Sequence, residues 1–172
     1  METTPRVGIL MGSASDYDIM LEAARTLREF GIPFEMTVSS AHRSPARTSR
    51  YAREALSRGL EVLIVGAGAA AHLAGVVASE TTLPVVAVPI DSSSLKGLDA
   101  LLATVQMPAG VPVATMAIGK PGARNAGVLA AQILARGDAA LGDKLRRFKA
   151  ELENEIESRA RAVEDRLRND LG

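Results

Sequence analysis

Short apolar runs alternate along this chain with longer segments whose apolar residues recur at helical spacing. This alternation is typical of βαβ units, in which a crossover helix joins two parallel strands of one sheet. The pattern therefore predicts an α/β fold, a doubly wound parallel sheet between layers of helices. The apolar runs place its strands at residues 7–11, 34–38, 61–65, 83–90 and 111–118.

Capping residues indicate where the intervening helices begin and end. Residues 13–16 supply N-cap side chains for a first helix, and Gly31 is its C-cap. Ser44 and Pro45 begin the second helix, and Gly59 ends it. Three later helices are predicted, one ending at about Glu80 and two over residues 95–105 and 123–134.

From Asp138 onward, charged residues dominate and an apolar residue recurs every three or four positions. This pattern predicts one long amphipathic helix over about residues 139–168, after a core of about residues 7–135. The far half of such a helix is expected either to pack on another subunit or to fray. No linker or internal repeat is evident, so we expect residues 1–172 to form a single domain.

The composition excludes several classes of protein. Lys and Arg total 20 and Asp and Glu total 20, and aromatic residues are only 3% of the chain, so we expect no nucleic-acid partner. The absence of cysteine excludes disulfides and thiolate metal sites. No signal peptide is evident, and no apolar run approaches the roughly 20 residues of a membrane-spanning helix, so we expect a cytoplasmic protein without membrane contact.

Three loops at the carboxyl ends of the first three strands carry most of the chemistry. In doubly wound sheets, ligands bind at these ends, where the strand order reverses. The second and third loops contain the only two histidines of the chain, His42 and His72. Histidine changes its charge near neutral pH, so the pair predicts proton transfer on a bound ligand. The loops are Gly12–Asp16, Ser39–Pro45 and Gly66–His72.

Each loop admits a functional and a structural interpretation. The two serines and Asp16 of the first loop suit a phosphate and a ribose at a helix N-terminus, or they simply cap the helix. His42 and Arg43 suit acid–base catalysis and anion binding, or they are a surface pair at a helix start. Small residues from Gly66 allow a ligand to approach the backbone, whereas His72 is either a catalyst or a partly buried structural histidine. No metal-ligand spacing is present, so we expect no metal.

Five segments together resemble the PurE family, purine-biosynthesis enzymes that interconvert carboxylated aminoimidazole ribonucleotides. They occur in the family's order between Val7 and Leu134. The segments are MGSASD at residues 11–16, SAHRSP at 40–45, GAGAAAHL at 66–73, VQMPAGVPVAT at 105–115 and NAGVLAAQIL at 125–134.

The resemblance implies a three-layer, flavodoxin-like subunit with a long C-terminal helix, assembled as a homo-octamer with its site near subunit junctions. It also implies a small-molecule nucleotide substrate and neither a metal nor an organic cofactor. Residues 106–108 and 125–127 are similar to the class I form, a mutase that moves a carboxylate from the exocyclic amine to ring carbon four. The alternatives are the class II form, which carboxylates that carbon directly with carbon dioxide, and a non-catalytic nucleotide-phosphate sensor.

By matching position, the resemblance implies that His42 is the catalytic proton shuttle and that His72 is a neighbour in the pocket wall. The implied substrate-binding residues are Ser13, Ser15, Asp16, Ser40, Arg43, Ala67, Gly68, His72 and Leu73. The chain departs from the family's usual residues at Ser44, where threonine is usual, at Ala69, where glycine is usual, and at Ala74, where proline is usual. We expect Ala69 to restrict the backbone beside the ligand, because its methyl group disfavours positive φ.

Overall fold

The computed structural model describes residues 4–172, which form two compact units: one that ends at Leu134 and one of Ala135–Gly172. The first unit holds a five-stranded sheet and five helices, and the second holds one long helix. The strands are β1 (Val7–Met11), β2 (Phe34–Val38), β3 (Val62–Gly68), β4 (Val85–Ile90) and β5 (Ala114–Thr115). The helices are α1 (Tyr17–Phe30), α2 (Pro45–Glu54), α3 (Leu73–Ser79), α4 (Leu98–Val105), α5 (Lys120–Leu134) and α6 (Ala139–Leu171).

All strand pairs are parallel, and the strand order is β2-β1-β3-β4-β5. Helices cover both faces of the sheet, which confirms the predicted flavodoxin-like α/β fold with a long C-terminal helix. The chain moves outward from β1 to β2 and then returns past β1 to β3. The strand order therefore reverses at β1 and β3, and their carboxyl ends form the edge at which a ligand cavity is expected.

One face of the sheet is covered by α1 and α5, which pack on each other through small residues. Ala123, Ala126 and Ala130 of α5 are fully buried. A Cβ atom at Gly127 would lie 2.7 Å from Cβ of Thr26 and 3.0 Å from the carbonyl oxygen of Ala23. The low aromatic content of the chain therefore reflects helices that approach each other closely.

The opposite face packs against α2 and α3 in an aliphatic core that includes Leu10, Leu63, Val65, Leu73 and Val77. Strands β1, β3 and β4 are buried on both faces, which is why their sequences are continuous apolar runs instead of alternating ones.

Polar contacts tie α2 to its neighbours at the edge of this core. The carboxylate of Glu80, just after α3, accepts hydrogen bonds from Oγ of Ser49 and Nε of Arg53, both at 2.6 Å. The hydroxyl of Tyr51 donates to Glu35 on β2 at 2.6 Å, and the guanidinium of Arg58 binds the same carboxylate. These contacts join α2 to α3 and to the edge strand.

Three strands differ from their predicted extents, and the smallest of these differences is in β4, which begins at Val85 instead of Leu83. β3 continues to Gly68, because residues 66–68 pair with β4 instead of forming a loop. β5 was predicted over residues 111–118, but only Ala114–Thr115 pairs regularly with β4. This edge strand has one neighbour, and Pro89 in β4 has no N–H to donate to it. The chain nevertheless stays beside β4, since Met116 donates its N–H to Ala87 at 2.8 Å.

In the second unit, α6 begins where the side chain of Asp138 accepts a hydrogen bond from the N–H of Leu141 at 3.0 Å. The helix extends to Leu171, three residues beyond the predicted end. Every residue from Glu151 to Gly172 is exposed. At 33 residues, α6 is about 50 Å long.

Candidate active site

A cavity of about 320 Å³ opens at the carboxyl ends of β1, β2, β3 and β4, where the strand order reverses. Hydroxyl groups, one carboxylate, one guanidinium and one imidazole line it together with small residues. The lining residues are Gly12, Ser13, Ser15, Asp16, Ser40, Ala41, His42, Arg43, Ala67, Gly68, Ala70, Leu73 and Ser92. The cavity therefore lies where the doubly wound topology predicts a ligand.

The loop after β1 turns tightly before α1 begins. Oγ of Ser13 accepts a hydrogen bond from the N–H of Ser15 at 3.3 Å, and Oδ2 of Asp16 accepts one from the N–H of Ser13 at 3.2 Å. This reciprocal arrangement is a capping box. These side chains therefore cap the single 3-10 turn Ala14–Asp16 that leads into α1, whereas α1 itself has no side-chain cap. The same turn presents the hydroxyls of Ser13 and Ser15 to the cavity.

Asp16 is almost completely buried, with 4% of its surface exposed. This burial raises the pKa of its carboxyl above the usual 3.8, although hydrogen bonds from Ser13 and Ser15 and the charge of Arg43 act in the opposite direction. The side chain thus shapes the turn with one oxygen while it lines the cavity. A carboxylate in this position is a hydrogen-bond acceptor suited to ribose hydroxyls.

The side chain of Arg43 joins the loop after β2 to the loop after β1. Its Nη2 donates to the carbonyl oxygen of Gly12 at 2.9 Å, and its Nε donates to Oγ of Ser40 at 3.3 Å. These bonds hold the guanidinium at the cavity wall. Because guanidinium has five N–H donors, others stay available for a phosphate or a carboxylate.

The two histidines are in direct contact, although 30 positions separate them in the sequence. Nε2 of His42 lies 2.9 Å from Nδ1 of His72, and the rings meet edge to face with centroids 5.0 Å apart. One ring donates the shared proton and the other accepts it. Both residues are exposed, and of the two only His42 is among the cavity-lining residues.

The Gly-rich end of β3 forms the floor of the cavity. A Cβ atom at Gly68 would lie 1.8 Å from Oγ of Ser92 and 3.0 Å from the carbonyl oxygen of Ile90, so only glycine fits. The next residue, Ala69, has a φ of +50°, the left-handed region that alanine rarely adopts. The backbone of Ala69, where the sequence predicts restricted freedom, is therefore strained beside the cavity.

The structure brings the predicted site residues together with one exception. His72 lies against His42 and is not a cavity-lining residue, and Ser92 is a lining residue that the sequence interpretation did not include. Ser92 follows β4 in the run Asp91-Ser92-Ser93-Ser94. The rule that selected the loops after the first three strands could have found it, since it applies equally to the fourth.

Within residues 4–172, no group of three or more His, Asp or Glu side chains is arranged to hold a metal ion. In the same part of the chain, no helix combines the length and the apolar character needed to cross a membrane.

The fold and the cavity together define a class of protein: doubly wound α/β proteins that bind a small polar ligand where the strand order reverses. In this member of the class, a histidine lines the cavity. A family model described as AIR carboxylase matches residues 6–155. The chain belongs to the AIR carboxylase family, which confirms the predicted PurE membership.

Relatives of known name match most of the chain. It is 52% identical over 161 residues to the N5-carboxyaminoimidazole ribonucleotide mutase of Pyrococcus horikoshii, covering 94% of this chain and 90% of that protein. It is 55% identical over 141 residues to the mutase of the same name from Bacillus subtilis, covering 82% and 87%. The crystal structure of PurE from Treponema denticola superposes with a TM-score of 0.80 at 29% identity, covering 90% of this chain and 95% of that one.

Proposed function

We propose that the chain is an isomerase of purine biosynthesis, which converts N5-carboxyaminoimidazole ribonucleotide into 4-carboxy-5-aminoimidazole ribonucleotide. The observation that carries this proposal is the identity above 50% with named mutases over nearly the whole chain. The cavity supports it independently, because it combines anion donors with an imidazole.

The reaction moves one carboxylate within the substrate, so it balances without a co-reactant. A proton delivered to the exocyclic nitrogen lets the carbamate C–N bond break, and its electron pair stays on nitrogen as carbon dioxide forms. Ring carbon four, which is enamine-like, then attacks the carbon dioxide, and the proton on that carbon leaves. We assign both proton transfers to His42, since one group that gives a proton and takes one back is unchanged at the end.

Binding is assigned to the groups that surround His42. Ser13 and Ser15 present hydroxyls to the cavity, which suits the phosphate, and buried Asp16 accepts from the ribose hydroxyls. Ser40 and Arg43 contribute donors for the phosphate or the migrating carboxylate. The small residues Ala67 and Gly68 let the imidazole ring of the substrate lie close to the backbone, and Leu73 supplies an apolar contact.

A paired assay with the purified protein tests the proposed reaction. One reaction receives the amine-carboxylated nucleotide, and the other receives the uncarboxylated nucleotide with excess carbon dioxide. We expect fast turnover only in the first. Fast turnover in the second alone identifies a direct carboxylase, and binding without turnover in either identifies a sensor.

The remaining properties follow from the family resemblance. We assign a homo-octameric assembly with a site near subunit junctions and an enzyme without a metal or an organic cofactor. We also assign residues 1–172 to one domain and the protein to the cytoplasm, where purine nucleotides are made. Sedimentation equilibrium tests the assembly: we expect eight chains per particle, and a stable monomer or dimer at the concentration of the assay contradicts it.

A further inference from the structure

Helix α6 continues beyond the part of the chain that the AIR carboxylase family model matches. The match ends at residue 155, whereas the helix runs to Leu171. In this extension, Ile156, Val163, Leu167 and Leu171 are exposed over 62%, 67%, 58% and 81% of their surface. A regular row of large apolar side chains in water is a surface that another helix can cover.

The apolar residues of α6 follow an 11-residue repeat. Leu145, Leu152, Ile156, Val163 and Leu167 are separated by seven, four, seven and four positions. Eleven residues make three turns of a nearly straight helix, so these side chains stay in one line. We call Ile156, Ala160, Val163, Leu167 and Leu171 the α6 stripe.

Charged residues flank the α6 stripe, and the two flanks differ in sign. At three turns per 11 residues, the mainly acidic flank holds Glu157, Glu164 and Arg168. The mainly basic flank, on the other side of the stripe, holds Arg159, Arg166 and Asp170. In a parallel pair of identical helices, unlike flanks meet, whereas in an antiparallel pair each flank meets its own copy.

Charge complementarity therefore selects the parallel arrangement with a second copy of the same helix. In register, Glu164 lies near Arg166 of the second copy and Arg168 lies near its Asp170, and twofold symmetry repeats each pair. A fully overlapped antiparallel arrangement gains less, because its contacts of Glu157 with Arg168 and of Arg159 with Asp170 are offset by Glu164 beside its own copy and by Arg159 beside Arg166. Upstream of the stripe, Glu153 and Glu155 lie on opposite flanks and repel in a parallel pair, so pairing begins at Ile156.

The helix is stabilised before it meets a partner. Ion pairs join Glu155 with Arg159, Arg166 with Asp170 and Arg168 with Asp165 at helical spacing within the chain. Association then has to supply less of the free energy of ordering this segment.

We propose that residues 156–171 pair, parallel and in register, with the same residues of a second copy of the chain. The occupant of the exposed stripe is thus an identical stripe, and the extension is an additional self-association element of this protein. The inference is independent of the reaction assigned to the cavity.

Cysteine cross-linking tests the pairing directly, because the chain has no cysteine of its own. The full-length variants Ile156→Cys and Leu167→Cys place single thiols on the stripe about 16 Å apart. Ser158→Cys, on the far side of the helix, is the matched control.

We expect both stripe variants to form disulfide-linked dimers roughly tenfold faster than the control, because pairing raises the local thiol concentration. An antiparallel pair brings at most one of the two positions onto its own copy, so cross-linking at only one position, at neither, or equally in the control overturns the proposal.

Charge reversal tests the chosen partner. In the Ile156→Cys chain, Glu157→Arg with Glu164→Arg makes both flanks basic, and we expect the cross-linking rate to fall to that of the control. Adding Arg159→Glu and Arg166→Glu restores unlike flanks and is expected to restore the rate. An unchanged rate, or a loss that the second pair does not reverse, contradicts the proposal. If circular dichroism shows that reversal lowers the helix content, the cysteine comparison alone decides.

Discussion

The contact between His42 and His72 connects two residues whose loops follow different strands. The hydrogen bond between Nε2 of His42 and Nδ1 of His72 fixes the orientation of one ring relative to the other. His72 thus has a defined interaction beyond that of a pocket wall: it orients the ring of His42. His42 therefore remains the proposed proton shuttle, and His72 is a positioning residue that acts by holding the ring of His42.

Replacing each histidine by asparagine separates these roles. We expect His42→Asn to lower kcat by roughly 10² to 10⁴-fold, because the group that transfers both protons is lost. Binding of the nucleotide is expected to change little, since the hydroxyls and Arg43 stay in place. Steady-state kinetics and equilibrium binding of the product measure the two effects.

The matched control is His72→Asn, which removes the neighbouring ring and retains the shuttle. We expect its loss in kcat to be smaller than that of His42→Asn. Near-normal turnover by His42→Asn, or a larger loss in His72→Asn, contradicts the assignment.

The strained residue Ala69 gives a second prediction at this scale. At φ +50°, alanine pays a steric cost of about 1–2 kcal/mol that glycine does not. Glycine loses about 0.5–1 kcal/mol through the greater freedom of the unfolded chain. We therefore expect Ala69→Gly to raise the free energy of unfolding slightly and Ala69→Val to lower it, as urea denaturation at a fixed protein concentration measures. A Gly variant less stable than the Val variant contradicts the strain at this position.

Among the elements, α2 and α3 are held together by the carboxylate of Glu80. Hydrogen bonds from Ser49 and Arg53 hold its pKa below the usual 4.5. A carboxyl whose folded-state pKa is lowered contributes stability above its unfolded pKa, and the contribution disappears as the pH falls through the folded value. We therefore expect Glu80→Gln to be less stable than the parent near pH 7 and equally stable in acid below that lowered pKa.

Thermal unfolding across this pH range measures the difference. Glu54→Gln, at an exposed carboxylate that ends α2, is the matched control and is expected to change stability little at any pH. A stability difference for Glu80→Gln that persists in strong acid shows that lost packing, and not the ionised carboxylate, explains the effect.

For the whole molecule, the proposed reaction needs only a proton that is returned. We therefore expect prolonged treatment with a strong chelator, followed by gel filtration, to leave kcat unchanged. A loss that an added divalent metal ion restores contradicts the assignment of a cofactor-free enzyme. Protein carried through the same incubation and gel filtration without chelator controls for inactivation during handling.

The sequence was sufficient for the number and the parallel arrangement of the strands, because buried parallel strands must be apolar and the segments between them have helical spacing of apolar residues. The sequence was less informative where tertiary contacts determine how far a strand extends. Residues 66–68 have the composition of a loop but pair with β4, and β5 has the composition of a longer strand but follows an irregular edge. The contact of His42 with His72 could not be deduced from spacing, since it depends on how two loops meet across the sheet.

The exposure of His42 in the single chain has a kinetic consequence. In the proposed reaction, carbon dioxide released beside this residue would partition between recapture by the ring carbon and escape into water. Isotopically labelled carbon dioxide in the solvent measures that ratio, since each escape gives the label a chance to enter the product. Closure of the cavity by neighbouring subunits would leave the product unlabelled, whereas dissociated chains would acquire the label and release uncarboxylated nucleotide. The fidelity of the carboxylate transfer thereby becomes a reporter of assembly.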